Sequence, residues 1–238
     1  MSALASGGRI DTLKIGIAGA GRMGQGIAAS VDAAAGLALA GIWKRGEAID
    51  PIVAAADVVI DFSLPEATSD VLAAALHHGK PVVCGVSGLS DSQLASLCKA
   101  ASEIPLVYDR NMSLGVAVLE RSVADAAAAL GGDFVVEISE THHVHKKDAP
   151  SGTALKLGEA IAAARGDADT SALAFASQRI GEVPGDHQVI MRSATETLTF
   201  AHSVTTRQVF VDGALRAAQW LVDQPPGYFT MRDVLFHD

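Results

Sequence analysis

The sequence predicts an α/β protein in two parts, a doubly wound parallel sheet followed by a smaller α+β region with a mixed sheet. Three observations carry this expectation. From Leu13 to about Asp109, short apolar runs rich in β-branched residues alternate with Ala- and Leu-rich stretches of helical period. Those runs are continuously apolar, which marks strands covered on both faces, as in a parallel sheet flanked by helices. After Ser113 the rhythm changes, and the later strand candidates alternate polar with apolar residues, as a sheet with one covered face requires.

In the first part the strand candidates are 14–18 (KIGIA), 37–43 (LALAGIW), 57–62 (DVVIDF), 81–85 (PVVCG) and 104–108 (IPLVY). Helices are expected near 22–35, 65–78 and 90–102. Pro65 suits a first helical turn, where its missing N–H would have no partner anyway, and Gly79 suits a C-terminal cap. Only KRGEAIDPIVAAA separates the second and third strands, so that crossover must be a short helix or a bare loop. In the second part we expect a helix near 113–130, a strand at 133–144 (DFVVEISETHHV), a helix at 153–164 and strands at 187–193 and 196–204. A helix near 212–222 and the tail YFTMRDVLF resemble first-part material, so the domains are expected at 1–112, completed by 211–238, and at 113–210.

A chain of 238 residues, 49% hydrophobic and 19% charged, can bury one large core or two modest ones. A net charge of -9 argues against a surface built for nucleic acid, leaving a small molecule as the expected partner. The two cysteines, Cys84 and Cys98, make no disulfide framework and suit a reducing compartment. No apolar run approaches the roughly 18–20 residues that span a bilayer, so no membrane association is expected. The start, MSALASGGRID, lacks the apolar centre of a signal peptide and reads as a short loose leader on a cytoplasmic protein.

Directly after the first strand candidate comes GAGRMG, placing Gly19, Gly21 and Gly24 in G-x-G-x-x-G spacing with Ala20, Arg22 and Met23 between them. Such a turn needs glycine because side chains would bar backbone N–H groups from a pyrophosphate, and the following helix N-terminus adds partial positive charge. Strand before and helix after make this the signature of a Rossmann-type dinucleotide site. At the end of the second strand, where a carboxylate would hold a ribose 2′-hydroxyl, stand Lys44 and Arg45. A carboxylate would repel a 2′-phosphate, whereas a Lys-Arg pair can bind it. NADPH is therefore expected to serve at least as well as NADH. The loops DFSLP (61–65), GVSG (85–88) and DRNMS (109–113) should line the nicotinamide half.

Residues 141–154 read THHVHKKDAPSGTA. On a strand His143 and His145 would share one face and His142 the other, and no Cys or acidic ligand sits at a recognisable spacing, so no metal is expected. Pro150 keeps Ala149 out of helical geometry, Ser151 can cap the next helix, Gly152 bares the backbone and Thr153 adds a hydroxyl. The free N–H groups of that turn suit a carboxylate, and Lys146 with a histidine beside it could pair a dianion and deliver a proton.

This segment resembles the signature of the 4-hydroxy-tetrahydrodipicolinate reductase family, long called dihydrodipicolinate reductase, with its pattern E-x-H-H-x-x-K-x-D-A-P-S-G-T-A matched from Glu140 to Ala154. The likeness extends to GRMG (21–24), DFS-P (61–65), G-x-S-G (85–88), N-M-S-x-G-V (111–116), R-x-G-x-x-x-G-x-H (179–187) and MRDVL (231–235). It implies an enzyme of lysine and diaminopimelate biosynthesis in which a 4-hydroxy cyclic dicarboxylate loses water and the unsaturated ring takes a hydride from NADPH or NADH. It further implies proton handling by His142 and Lys146, and substrate contacts at His143, Ser151, Gly152 and Thr153. Cofactor contacts would come from the glycine loop, from Gly85, Val86 and Ser87, and from Asp109, Arg110, Asn111 and Met112. A homotetramer joined through the second domain is implied as well. Three departures stand out: the glycine loop is a residue shorter than the family's, Val86 replaces a common threonine, and Lys44 stands where many members carry an acidic ribose ligand. Two rival readings are another nicotinamide oxidoreductase of similar build and a non-catalytic NAD(P)-responsive regulator, the latter opposed by the presence of both His142 and Lys146.

Overall fold

The structure, a computed structural model, describes residues 12–236; the expected leader lies outside the described residues. The chain divides into two compact units. One comprises the described residues up to Tyr108 with Ala214–Tyr228, the other Asp109–Gly213 with those from Phe229 onward.

The first unit holds β1 (Leu13–Ala18), α1 (Arg22–Ala33), β2 (Leu37–Trp43), α2 (Asp50–Ala55), β3 (Val58–Asp61), α3 (Pro65–His78), β4 (Val82–Cys84), α4 (Asp91–Ala100) and β5 (Pro105–Tyr108). The five strands pair in parallel in the order β5-β4-β3-β1-β2. Continuous apolar strands read correctly as two-faced: β3 and β4 are buried at every residue. Pro65 opens α3, and Gly79 closes it in the left-handed conformation at φ 60°, its N–H bonded to the carbonyls of Ala75 and Leu76. The terse second crossover is the short helix α2 rather than a bare loop. Because β1 lies between β2 and β3, the strand order reverses there, and the turns after β1 and β3 open onto the crevice where doubly wound sheets take ligands.

The second unit carries α5 (Leu114–Leu130), β6 (Val135–His142), α6 (Gly152–Arg165), β7 (Ala174–Arg179), β8 (Asp186–Arg192) and β9 (Thr197–Ser203). Its mixed sheet runs β7-β6-β8-β9, with β6 and β7 parallel and the other pairs antiparallel. Along β6 every second residue from Val136 to His142 is buried, and β8 answers with His187, Val189 and Met191. The apolar half of that face packs under α5 and α6 through Leu119, Val123, Leu157 and Ile161. Each such buried side chain contributes roughly 1.5–3 kcal/mol over its exposed state.

Several expectations need correction. The strand expected at 133–144 stops at His142, and the residues after it form a loop. Neither β7 nor β10 (Gly227–Phe229), which extends the parallel sheet beside β5, was expected. β7 is an edge strand with little burial and so little alternation, and β10 has only three residues. α7 (Gln208–Leu221) begins four residues before its expected start. The largest correction concerns the tail, which was expected to complete the first domain. From Phe229 it belongs to the second unit, because α8 (Met231–Leu235) packs on α5 and buries Met231 and Val234 there. The backbone N–H of Met231 also donates to Asp109 at 3.3 Å.

Candidate active site

The glycine loop leaves β1 at Ala18. Gly19 sits at φ +106°, and a Cβ there would lie 2.6 Å from the carbonyl oxygen of Phe62. A Cβ at Gly24 would overlap the Gly19 carbonyl oxygen, so that glycine seats the helix on its own turn. Gly21, the N-cap residue of α1, has nothing within 4 Å of where its Cβ would be and leaves the backbone open to an approaching group. These are the three separate uses of glycine that a pyrophosphate turn requires. The loop borders a pocket of about 290 Å³ lined by Gly19, Ala20, Gly21, Trp43, Arg45, Phe62 and Ser63. Bare backbone, an uncapped helix start and adjoining space fit a dinucleotide. Arg22 is exposed and Met23 half-buried at the start of α1.

Lys44 is exposed, and Arg45 reaches Glu66 at 3.8 Å with both side chains largely in solvent. Asp61 closes β3 with a buried carboxyl that burial pushes up to about 6, against hydrogen bonds from Ser63 that pull it down. Gly85 stacks against the Phe62 ring, with no room for a Cβ, and Ser87 is exposed. Val86 turns its side chain into the core of this unit. The side chain at this position therefore presents no hydroxyl to the turn.

Of the remaining expected cofactor residues, Asp109 to Met112 fall in the second unit and are mostly engaged internally. Asp109 is buried, accepts the Asn111 N–H and pairs with Lys156 Nζ at 2.7 Å. Lys156 also reaches Glu120 at 2.8 Å. Burial opposes its charge, but the two carboxylates outweigh burial and hold its ammonium above the usual lysine range. Asn111 Nδ2 donates to Thr153 Oγ1 at 3.0 Å, and Met112 is buried. Arg110 keeps a half-exposed side chain near Glu159.

The histidine-lysine segment grows out of the covered face of β6. Glu140 and His142 follow Val136 and Ile138 on that face, so the pleat that builds the core also carries the polar pair inward. His142 Nδ1 bonds Glu140 Oε2, and Arg179 clamps both Glu140 oxygens at 3.0 Å. Burial opposes ionisation of Glu140, yet hydrogen bonds from Arg179, Ser177 and His142 hold its pKa below the ordinary range. His142 is lowered by burial; Glu140 resists this, and the charges of Lys146 and Arg179 add to it. A carboxylate on Nδ1 assigns the ring proton there and leaves Nε2 as the working atom. Nε2 faces Gly185, where φ is +154° and a Cβ would come within 3.0 Å of it.

Lys146 Nζ lies 2.8 Å from Asp148 Oδ2, an ion pair that holds the Asp148 carboxyl down despite partial burial. Ser151 is the N-cap of α6, accepting the Ala154 N–H, and its buried hydroxyl also meets His187 Nε2 at 3.1 Å. At the same turn the Gly152 N–H bonds the Asp148 carboxylate, and Thr153 Oγ1 accepts from Asn111. His143 is half-buried, and its Nδ1 has no hydrogen-bond partner among the described residues. His145 is exposed near Glu182, and Lys147 is exposed. Among the described residues, the His and carboxylate groups close enough to share an ion are Asp50, His77 and His78 on α2 and α3, not the histidines of this segment. No described helix is long and apolar enough to cross a membrane.

Two residues that sequence reasoning left without a role, Arg179 and His187, sit at the centre of the site. Both lie in the R-x-G-x-x-x-G-x-H stretch, and the signal that could have found them was pairing: Arg179 stands opposite His142 and His187 opposite Glu140. Burial, reinforced by the neighbouring His142, pushes His187 down to about 3. A base depressed in the fold stays neutral while its unfolded counterpart, near 6.5, takes a proton, so stability should fall as pH drops from about 6.5 toward 3. Urea unfolding across that window should show a slope that His187→Gln flattens; an unchanged slope would exclude His187 as its source.

The chain matches the family model "Dihydrodipicolinate reductase, N-terminus" over residues 13–112 and "Dihydrodipicolinate reductase, C-terminus" over residues 115–235. It is 41% identical to the 4-hydroxy-tetrahydrodipicolinate reductase of Zymomonas mobilis subsp. mobilis, covering 94% of this chain and 98% of that one. A Xanthomonas campestris pv. campestris protein of the same name is 46% identical over 75% of this chain and 73% of its own. Among solved structures, the dipicolinate-bound dihydrodipicolinate reductase from Paenisporosarcina sp. TG-14 shares the fold at a TM-score of 0.78 and 22% identity, over 94% of this chain and all of that one.

Proposed function

The chain belongs to the dihydrodipicolinate reductase family of NAD(P)H-dependent oxidoreductases, and from that premise we propose that it reduces 4-hydroxy-tetrahydrodipicolinate to tetrahydrodipicolinate in lysine and diaminopimelate biosynthesis in the cytoplasm. The observation that supports this most is the convergence of an oriented histidine, a paired lysine and a helix N-terminus within one unit. A substrate carboxylate would take the Thr153 N–H, with His143, and replace the Asp148 carboxylate at the Gly152 N–H; the Ser151 hydroxyl caps the turn that presents them. The bound nicotinamide supplies the hydride. Water leaves the 4-hydroxy precursor as its hydroxyl and one ring hydrogen, and the unsaturated ring then takes the hydride together with one proton, which His142 Nε2 and Lys146 Nζ deliver. In the first unit the glycine loop would hold the pyrophosphate of a bound dinucleotide and the backbone of Gly85, Val86 and Ser87 would serve its nicotinamide half; the family resemblance adds residues 109–112 to the cofactor contacts. One face of the four-stranded sheet packs under α5 and α6, while Ser139, Thr141, Gln188 and Ile190 on the other are only half-buried, which supports assembly as a homotetramer through this unit.

The test supplies the product of dihydrodipicolinate synthase together with NADPH. Oxidation of the cofactor with formation of tetrahydrodipicolinate is expected. Tight NADPH binding without oxidation would instead favour a nucleotide-responsive regulator. Lys44 and Arg45 support acceptance of NADPH at least as well as NADH, because their charges suit a 2′-phosphate and Glu66 holds Arg45 only at long range in solvent. The double variant Lys44→Ala/Arg45→Ala should lower kcat/KM for NADPH selectively; a strong NADH preference that the double variant leaves unmoved would reject the assignment.

A further inference from the structure

Arg179 ends β7 directly opposite His142 in the parallel pairing with β6. A guanidinium carries five N–H donors in a rigid plane, and this one spends them across several parts of the site. Nη1 and Nη2 hold the two oxygens of Glu140, whose Oε2 also takes His142 Nδ1. Nε donates to the carbonyl of Lys146 at 3.2 Å, and Nη2 donates as well to the carbonyl of Asp148. Those two carbonyls lie within the loop from which Lys146 projects, and the Lys146–Asp148 ion pair lies on the same short stretch.

We propose that Arg179 is the positioning residue for both proton-carrying side chains at once. Through Glu140 it fixes the His142 ring with Nδ1 inward and Nε2 toward Gly185, and through two backbone carbonyls it holds the loop that aims Lys146. A salt bridge serving stability alone would need only the Glu140 contacts. The added bonds to the carbonyls of 146 and 148 are what tie the strand-borne histidine to the loop-borne lysine. Lysine could not substitute, since a single ammonium cannot grip a carboxylate bidentately while also reaching two carbonyls. The inference rests on the reading of His142 and Lys146 as the proton-handling pair.

Arg179→Ala, Arg179→Lys and Glu140→Gln in the full chain test it. Misplacing catalytic groups by about 1 Å is worth about 10²-fold, so Arg179→Ala should lose roughly 10²-fold in kcat with NADPH affinity unchanged. Added guanidinium should restore part of that loss where ammonium does not, and Arg179→Lys should stay impaired. Nitrogen-15 NMR of His142 should show the Nδ1–H tautomer in the wild type and a mixture in Arg179→Ala and Glu140→Gln. Wild-type kcat in folded Arg179→Ala, or an unaltered His142 tautomer in these variants, would overturn the proposal. Should Arg179→Ala not fold, Arg179→Lys and Glu140→Gln decide by the tautomer. If the wild type fails to reduce the substrate, the proposed activity falls, while the tautomer measurement still tests the role of Arg179.

Discussion

Lys146→Ala should lower kcat by about 10²- to 10⁴-fold, the usual range for a lost acid-base group, with little change in NADPH affinity or thermal stability. The expectation of an intact fold comes from the surroundings of the ion pair. Asp148, the partner, keeps 58% of its side chain exposed, so losing the lysine leaves no buried charge behind. Exposed pairs of this kind are worth about 0–1 kcal/mol. Activity and stability should therefore separate cleanly, which steady-state kinetics alongside a thermal melt will show. Wild-type turnover in the variant would remove Lys146 from proton transfer. A large drop in Tm would mean instead that the lysine works mainly as scaffold.

Lys156→Met should be the most damaging replacement for the fold itself. Its ammonium sits between Asp109 and Glu120, whose side chains are only 2% and 7% exposed. Methionine keeps much of the stem and removes the charge, stranding two carboxylates side by side. Breaking a buried pair in this way costs about 3–5 kcal/mol. Asp109 retains the N–H groups of Asn111 and Met231, and Glu120 retains Arg232 at 4.0 Å, which soften the loss without replacing the ammonium. The pH dependence has a definite sign. In the wild type the raised pKa of Lys156 keeps its contribution through neutrality, to be lost only as pH rises through that value. In the variant the stranded carboxyls should have raised pKa values, so the folded state binds more protons than the unfolded, and the deficit should shrink as pH falls. Urea titrations near pH 7 and about pH 5 should differ in that direction. A second change, Glu120→Gln, should recover part of the loss. A deficit that is flat with pH would locate the damage in packing.

The first unit was legible because its signals are local. Continuous apolar strands, a proline at the start of α3, Gly79 at its end and the GAGRMG turn each declare themselves within a few residues. The segment from Glu140 to Ala154 was legible in residue type for the same reason. What escaped depends on partners far along the chain. Arg179 acquires its place only when β7 pairs with β6, and β7, an exposed edge strand, shows almost no alternation from which to infer that pairing. His187 looks like any strand histidine until Glu140 stands across from it. The destination of the tail was missed because MRDVL has apolar residues suited to either core, and its packing on α5 and its bond to Asp109 join partners more than a hundred residues apart in the chain. Ser151 was correctly read as a cap, but its bond to His187, which occupies the hydroxyl, could not be seen from PSGT alone.

The alternation along β6 has one further consequence. Val136 and Ile138 face Met191 and Val189, and two residues on, Glu140 faces His187 in the same register. A slip of one residue in that pairing would turn every inward side chain of β6 outward, apolar and polar together. Misregistered molecules would lose their core and their histidine in a single error, so a stable, inactive population should not accumulate. Specific activity then doubles as a measure of the correctly folded fraction, and a preparation of this protein can be graded by its turnover.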